Sequence, residues 1–295
     1  GSSISPERLL LIKERFNSYD FNKSSVAGVG QDITAVNDYA RFLREEFGKL
    51  STKCVIDCFN GSTGVLGERV FKQLLDAEVL NDEPLGDFGG RHPEPSEYNL
   101  QEVVKKVQSS GAAFGVGLDG DGDRSVFVDE EGRVIDGNKM TLLFARDALK
   151  RAGGGVMVAP VSISNVLESL TKELNGSIAW CKVGHTFIEK ELVKRKGLFG
   201  GEVSCHFYFN EFYPFSDGIM SALQLARILK ESGKSLSELI KSLPQVTVIK
   251  GEVEFPTHEK KNQVAKALAR NMLLKNPDAL TIDGVKFVDE DVSVL

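Results

Sequence analysis

The feature that most constrains the fold of this chain is a regular alternation of short apolar runs with amphipathic segments of helical length. A first round places the strand patterns "KCVID" and "AAFGVGL" among the helix patterns "VLGERVFKQLLDA", "LQEVVKKVQSSG" and "NKMTLLFARDALKRAG", with a hairpin pattern in "RSVFVDEEGRVI". A second round places "GGVMVAPV" and "SIAWCKV" among "SNVLESLTKELNG" and "TFIEKELVKRKG". Strands that alternate with helices in this way are typical of βαβ units. The sequence therefore predicts two consecutive α/β domains with mixed, mainly parallel sheets.

The two ends of the chain depart from this alternation. Helices are predicted over residues 5–16 and 32–47 near the start. Towards the end, "QVTVIKGEVEF" predicts a strand, "KKNQVAKALARNML" a helix and "ALTIDGVKFVDEDVSVL" a hairpin. About 50 residues is small for an independent core. We therefore expect a partial α+β domain at the C-terminal end.

Composition excludes several classes of protein. The formal net charge of −6 argues against a general nucleic-acid binder, because phosphate backbones attract clustered Lys and Arg. No apolar run reaches the ~18 residues of a membrane span, so we expect no membrane partner. The four cysteines form no CxxC pair. We expect them to be reduced thiols, which indicates a cytoplasmic protein.

The segment "GVGLDGDGDRSVFVD" carries three aspartates within five residues, between two apolar stretches. Asp119, Asp121 and Asp123 can converge on one cation when the backbone turns tightly, and the intervening glycines permit such a turn. Without a cation these carboxylates would repel one another and raise one another's pKa. Their oxygen ligands favour Mg²⁺ or Ca²⁺. The alternative is a solvated acidic turn, which the apolar flanks disfavour.

A calcium-binding EF-hand loop is a second possibility for this segment. The three aspartates fit its positions 1, 3 and 5, and Glu130 falls at position 12. Position 6, however, is Arg124 where that loop requires Gly, and the flanking patterns are strands rather than helices. An Arg that directly follows the acids indicates instead a site where metal and guanidinium share an anionic substrate, as in phosphoryl transfer.

The hexapeptide "DGDGDR" after an apolar strand resembles the metal-binding loop of the α-D-phosphohexomutases, the phosphoglucomutase and phosphomannomutase superfamily. "GGEVSCHFYF" is similar to the sugar-binding loop of that family, usually written GGExSGH. The order and spacing of the matching segments agree over about residues 5–295. The other segments that carry the resemblance are "DCFNGSTG", "HPEP", "KVGHTFIEKEL" and "FSDGIMSALQL".

The resemblance implies roles for the residues of the acidic loop. Asp119, Asp121 and Asp123 would hold Mg²⁺. Arg124 would contact the transferred phosphoryl group or assist proton transfer. In the family, a phosphoserine gives its phosphate to a hexose 1- or 6-phosphate, and the bisphosphate so formed returns the other phosphate to the serine. The implied activity is therefore interconversion of hexose 1- and 6-phosphates of glucose, mannose or both.

The resemblance also implies a sugar-phosphate site. Glu202 and Ser204 would hydrogen-bond sugar hydroxyls, for which a carboxylate and a hydroxyl are suited. His185 and His206 would help to bind the sugar phosphate or tune the acid–base step. For a single histidine a structural role is the ordinary expectation, but both lie inside matching motifs.

Some positions depart from the family pattern or carry no catalytic expectation. Cys205 stands where the family usually has Gly, and a side chain there would narrow the pocket or alter the loop backbone, since Gly permits positive φ. Ser162 or a neighbour stands where some bacterial members have Lys. Asn60 and His92 are expected to shape the fold and its domain contacts.

The largest departure is what the chain does not contain. The Ser-His-Asn loop that bears the family's phosphoserine occurs nowhere in the sequence, and the chain stops before the expected Arg-x-Ser-Gly-Thr-Glu-Pro phosphate loop. The predicted domains are residues 1–32 (remnant of domain 1), 33–153 (domain 2), 154–245 (domain 3) and 246–295 (part of domain 4).

Three hypotheses about function follow from the sequence. The first is a phosphohexomutase fragment that is inactive alone because the phosphoserine domain is missing. The second is a catalytically dead homologue that binds sugar phosphates or regulates; the complete triad of aspartates favours the first. A Ca²⁺-binding module is a third and weaker hypothesis. The preferred hexose stays open, with glucose or mannose favoured slightly over glucosamine.

Overall fold

The computed structural model describes residues 4, 6–19, 21, 35–247, 249, 251, 253–289 and 292–294. Within that part of the chain, no helix combines the length and the apolar character needed to cross a membrane. The architecture confirms the predicted fold class. Two α/β units, each built on a mixed sheet, follow one another, and a small unit of one helix and two strands follows the second.

The first sheet has the strand order β2-β1-β3-β4-β5. Its first three strands run parallel to one another, and the last two are antiparallel additions. The strands are β1 (Lys53–Asp57), β2 (Asp76–Leu80), β3 (Phe114–Leu118), β4 (Ser125–Asp129) and β5 (Val134–Ile135). The helices up to the end of this unit are α1 (Pro6–Asn17), α2 (Ala35–Phe47), α3 (Lys72–Leu74), α4 (Gln101–Ser110) and α5 (Gly137–Ala152).

The second sheet has the order β7-β6-β8-β9, with β9 antiparallel to β8 and the others parallel. Its strands are β6 (Val156–Pro160), β7 (Ser177–Cys181), β8 (Phe199–Gly201) and β9 (Phe207–Phe209). Its helices are α6 (Val166–Glu173), α7 (His185–Arg195), α8 (Gly218–Ser232) and α9 (Leu236–Lys241). The C-terminal unit contains α10 (His258–Lys275) and the antiparallel pair β10 (Phe287–Asp289) and β11 (Val292–Val294).

One apolar core joins the two sheets. Phe144 of α5 lies 6.0 Å from Phe127 of the first sheet, and 5.1 and 5.2 Å from Phe207 and Phe209 of the second. All four rings are buried, and aromatic pairs at these separations stabilise a core beyond the area they bury. The shared core thus packs β4 of the first sheet and β9 of the second sheet against α5.

The C-terminal unit contacts the second sheet through two side chains. The Lys286 Nζ donates to the Ile163 carbonyl oxygen at 2.6 Å and lies 4.0 Å from the centre of the Trp180 ring. The Asp283 carboxylate accepts a hydrogen bond from the Val183 N–H at 3.0 Å. Lys286 is buried, so this contact is a packed junction rather than a surface ion pair.

One predicted helix is found in place, but its type and its end differ from the prediction. "VLGERVFKQLLDA" forms no continuous α-helix but a 3₁₀ turn (Ser62–Leu66), a π-helical turn (Gly67–Phe71) and the short α3, after which the chain enters the unpredicted strand β2. The first turn packs closely on the loop that follows β2, because a Cβ on Gly64 would lie 2.0 Å from the Asp82 carbonyl oxygen.

The strand predicted for "QVTVIKGEVEF" is wrong for the residues that can be described, namely 245–247, 249, 251 and 253–255. Ile249 and Val253 are 93% and 73% exposed, so the alternation has no apolar surface to pack against. The C-terminal hairpin and the helix within 258–275 are confirmed. The predicted second helix begins at Ala35, and its expected first turn, residues 32–34, lies outside the described residues.

Candidate functional site

The three aspartates of the acidic loop converge where β3 ends. Oxygen atoms of Asp119, Asp121 and Asp123 lie within 4.8 Å of one another, which is close enough to hold one cation. Asp119 is buried, Asp123 is half-buried and Asp121 is exposed, so the cluster is open on one side. Three carboxylates form a hard oxygen donor set, which suits a divalent cation of the Mg²⁺ or Ca²⁺ type.

Asp119 also organises the loop itself. Its Oδ1 accepts hydrogen bonds from the N–H groups of Gly122 (3.1 Å) and Arg124 (3.0 Å), and its Oδ2 accepts from the Arg124 Nε at 2.7 Å. Burial raises the pKa of Asp119, and the hydrogen bonds from Arg124 only partly offset that shift. The local fold thus fixes one carboxylate and directs the neighbouring pair outward.

Arg124 is held from two sides. While its Nε binds Asp119, its Nη1 donates to the Glu94 Oε1 at 2.9 Å. Glu94 belongs to the "HPEP" segment, and sequence reasoning did not assign it a role. The only signal for it was its place in a family-like motif. The two carboxylates leave the guanidinium in a fixed orientation beside the acidic loop.

The backbone of the acidic loop is supported by three other segments. The Ser62 N–H donates to the Gly120 carbonyl oxygen at 2.9 Å, and the Gly120 N–H donates to the Pro93 carbonyl oxygen at 3.1 Å. The N–H of Gly218, at the start of α8, donates to the Gly122 carbonyl oxygen at 2.9 Å. These bonds hold the loop in place independently of its side chains.

The loop between β8 and β9 lies directly against the acidic loop. The His206 Nε2 is 3.1 Å from the Asp123 Oδ1, and its Nδ1 is 2.8 Å from the Ser204 Oγ. The Ser125 N–H donates to the Cys205 carbonyl oxygen at 3.1 Å, which ties the two loops through the backbone. The structure therefore brings together two motifs that are some 80 residues apart in sequence.

The charge of Asp123 responds to this contact. Burial alone would raise the pKa of Asp123, but the hydrogen bond and charge of His206, with smaller contributions from Arg124 and His185, lower it. Asp123 thus carries its negative charge readily. His185 is exposed as the first residue of α7.

The second loop has a left-handed residue at the position of the family's glycine. Cys205 adopts a φ of 67° with its side chain buried. The loop is closed by the Glu202 N–H bonded to the His206 carbonyl oxygen (3.0 Å) and the Cys205 N–H bonded to the Glu202 carbonyl oxygen (3.1 Å). The backbone form that glycine favours is therefore kept in spite of the side chain.

Glu202 is buried in this loop, and its Oε1 accepts a hydrogen bond from the Tyr208 hydroxyl at 2.5 Å. Sequence reasoning did not single out Tyr208.

Of the two residues expected to shape the fold, Asn60 does so: its Nδ2 donates to the Glu83 carbonyl oxygen at 2.9 Å. His92 is largely exposed, 3.9 Å from Glu94.

An open cavity of about 290 Å³ adjoins the acidic cluster. Asp121 and Asp123 line it on one side, and Ser62, Thr63 and Phe215 line it elsewhere. The cavity thus gives access to two of the three aspartates, while Arg124 and the second loop lie outside its lining.

Comparison with known proteins assigns both α/β units to known domain families. Residues 34–132 match the phosphoglucomutase/phosphomannomutase α/β/α domain II family, and residues 136–247 match the α/β/α domain III family. A phosphoglucomutase/phosphomannomutase of Thermococcus kodakarensis is 32% identical over the whole of this chain and 66% of its own length. A phosphoglucosamine mutase of Methanococcus maripaludis is 29% identical over the whole of this chain and 68% of its own length.

A solved structure leads to the same family. The crystal structure of a phosphoglucomutase/phosphomannomutase family protein from Burkholderia thailandensis superposes with a TM-score of 0.82 at 27% identity, over 97% of this chain and 62% of that one. The chain spans roughly two thirds of the length of the relatives it matches. It belongs to the phosphoglucomutase/phosphomannomutase family of the α-D-phosphohexomutase superfamily and carries that family's α/β/α domains II and III.

Proposed function

We propose that this chain is the metal- and sugar-binding part of a phosphohexomutase that interconverts hexose 1-phosphates and 6-phosphates. The observation that carries the proposal is the 3.1 Å contact between Asp123 and His206, which joins the acidic loop to the second loop. The hexose is glucose or mannose, and the chain's relatives also include phosphoglucosamine mutases. Residues 33–153 and 154–245 are assigned as domains 2 and 3, flanked by parts of domain 1 (1–32) and domain 4 (246–295).

In this proposal Asp119, Asp121 and Asp123 hold Mg²⁺, which when bound supplies positive charge that stabilises a transferring phosphoryl group. Asp119 has a second duty, because its hydrogen bonds to the loop backbone keep the other two carboxylates in reach of the cation. Arg124 presents its guanidinium to the phosphoryl group. Glu94 keeps that guanidinium from turning away.

The second loop binds the sugar. The Glu202 carboxylate accepts hydrogen bonds from hydroxyls of the hexose, and the Ser204 hydroxyl donates to them or accepts from them. His206 lies between Ser204 and Asp123, which contact its two ring nitrogens, so it would bind a phosphate next to the acidic loop by exchanging one of these contacts. His185, at the start of α7, is the second histidine that binds the same phosphate in this proposal.

The phosphoryl donor of the family reaction is a phosphoserine in a loop absent from this sequence. We therefore expect the isolated chain to bind hexose phosphate but not to convert it. All four cysteines are buried and none forms a disulfide, which fits a protein of the reducing cytoplasm.

The test is a coupled assay that follows conversion of glucose 1-phosphate to glucose 6-phosphate. The isolated chain should show no turnover, and robust turnover would refute its expected inactivity. The longer protein should turn over in the presence of Mg²⁺ and stop when EDTA is added. Parallel assays with mannose and glucosamine phosphates would identify the preferred sugar.

The alternative is a catalytically dead homologue that binds or senses sugar phosphates. It predicts that the longer protein binds hexose phosphate without converting it, and that its reading frame encodes no Ser-His-Asn loop upstream. The complete triad of aspartates favours the mutase, because a module that only binds sugar has no need of a complete metal site.

A further inference from the structure

A buried tyrosine controls the orientation of the carboxylate in the second loop. Tyr208 is fully buried, and its hydroxyl donates to the Glu202 Oε1 at 2.5 Å. The two residues that flank it on β9, Phe207 and Phe209, point into the joint core, while Tyr208 packs on the other face of the strand. Along this strand of three aromatic residues, only the central one carries a hydroxyl.

The surroundings of the Tyr208 ring are apolar, with Val158, Ile188 and Leu192 packed against it. A hydroxyl in such a place is costly unless it is hydrogen-bonded. Burial and the adjacent Glu202 carboxylate raise the pKa of Tyr208 far above its usual value, so the phenol keeps its proton and acts as a permanent donor. A bond from a neutral donor to a carboxylate is short and strong.

The bond also determines which residues pair within the loop. The His206 Nδ1 lies 4.0 Å from the same Glu202 Oε1, beyond hydrogen-bonding distance. That nitrogen is instead 2.8 Å from the Ser204 Oγ. The loop thus contains two separate hydrogen-bonded pairs, and the phenol keeps Glu202 from joining the imidazole.

We propose that Tyr208 is a positioning residue for hexose recognition: it fixes Glu202 Oε1, assigns Oε2 to a sugar hydroxyl and leaves His206 to the phosphate side. The proposal rests on the proposed function, in that it names the group that orients the sugar-binding carboxylate. Without the phenol, Glu202 would lose the donor that holds its Oε1 and would no longer present Oε2 to the sugar hydroxyl.

The test is calorimetric titration of glucose 1-phosphate into the 295-residue chain with saturating Mg²⁺. Tyr208→Phe keeps the buried ring and removes only the hydroxyl. We expect it to weaken glucose 1-phosphate binding about tenfold, the effect of losing one hydrogen bond to a charged group. Binding of inorganic phosphate and of Mg²⁺ should stay unchanged, because neither uses Glu202.

Tyr213→Phe is the matched control, since the Tyr213 hydroxyl also donates to a carboxylate, Asp217, at 2.8 Å. It should bind glucose 1-phosphate as the unaltered chain does. A double-mutant cycle tests whether the phenol acts through Glu202. In a Glu202→Gln background, Tyr208→Phe should weaken glucose 1-phosphate binding little further. In urea, both phenylalanine variants should unfold in a single transition like that of the parent.

Two results would overturn the inference alone. One is glucose 1-phosphate binding by Tyr208→Phe that equals that of the parent. The other is a tenfold loss that persists in the Glu202→Gln background, which would show that the phenol acts elsewhere. If instead the unaltered chain binds Mg²⁺ and no glucose 1-phosphate, the proposed function fails and the inference fails with it.

Discussion

Replacing Gly122 with alanine tests whether the acidic loop depends on a backbone that only glycine adopts without strain. Gly122 lies between two of the aspartates with a φ of +81°. A Cβ there would lie 2.3 Å from the Thr63 Cγ2, well inside van der Waals contact. Thr63 is buried and β-branched, so its methyl group has little freedom to move.

The expected cost has two parts. A side chain in the left-handed region costs roughly 1–2 kcal/mol. Forcing a methyl group against a buried neighbour costs about 1–3 kcal/mol more. Gly122→Ala should therefore lower the free energy of unfolding by about 2–5 kcal/mol. Because the loop must shift, Mg²⁺ affinity should also fall by about tenfold or more.

Urea unfolding and Mg²⁺ calorimetry measure both effects, and Gly233→Ala is the control. Gly233 has a φ of +64°, and no atom lies within 4 Å of the place that a Cβ would take, so its alanine variant should lose only about 1 kcal/mol and no Mg²⁺ affinity. Thr63→Ser removes the obstructing methyl group and should restore the steric part of the loss in the double variant. Equal losses at Gly122 and Gly233, or no rescue by Thr63→Ser, would refute the reasoning.

Three further predictions concern other parts of the molecule. Burial lowers the pKa of Lys286 to about 8, so Trp180, the single tryptophan, should show a fluorescence titration near pH 8 that is absent in Lys286→Met. In the unfolded chain the Lys286 ammonium keeps its proton up to about pH 10.5. The free energy of unfolding should therefore rise as the pH rises from about 8 to about 10.5. Phe144→Ala should cost about 3–5 kcal/mol in urea unfolding and destabilise both sheets together, because the ring contacts each of them. Cys205→Gly should change stability by less than about 1 kcal/mol, because relief of the left-handed strain offsets the lost burial, whereas Cys205→Val should cost about 2 kcal/mol.

The parts of the fold that sequence predicts well are those whose periodic pattern matches the final packing. The helix of residues 137–152 has an Asp136 cap and a Gly153 stop, and its pattern predicts it nearly to its ends. β2 was missed because Asp76–Leu80 directly follows a helical pattern and is an edge strand with one partner. The capping box of Ser235 and Glu238, which begins α9, was a signal that was overlooked.

The same distinction holds for the site. Local spacing was enough to predict that the three aspartates converge, since all lie in one tight loop. The Glu94–Arg124 pair spans 30 residues and depends on how two loops meet, which no local pattern encodes. Tyr208 was missed for another reason, because its strand pattern is equally consistent with a purely apolar core residue. Its function depends on the direction of one hydroxyl.

The most direct measurement of the central claim is NMR of the four histidine rings during titration with Mn²⁺, a paramagnetic substitute for Mg²⁺. If the aspartates hold the metal beside the second loop, the His206 ring signals should broaden at substoichiometric Mn²⁺, because His206 contacts Asp123. Asp121→Asn should abolish that broadening. His206 signals that stay sharp, or that broaden equally in Asp121→Asn, would contradict the account.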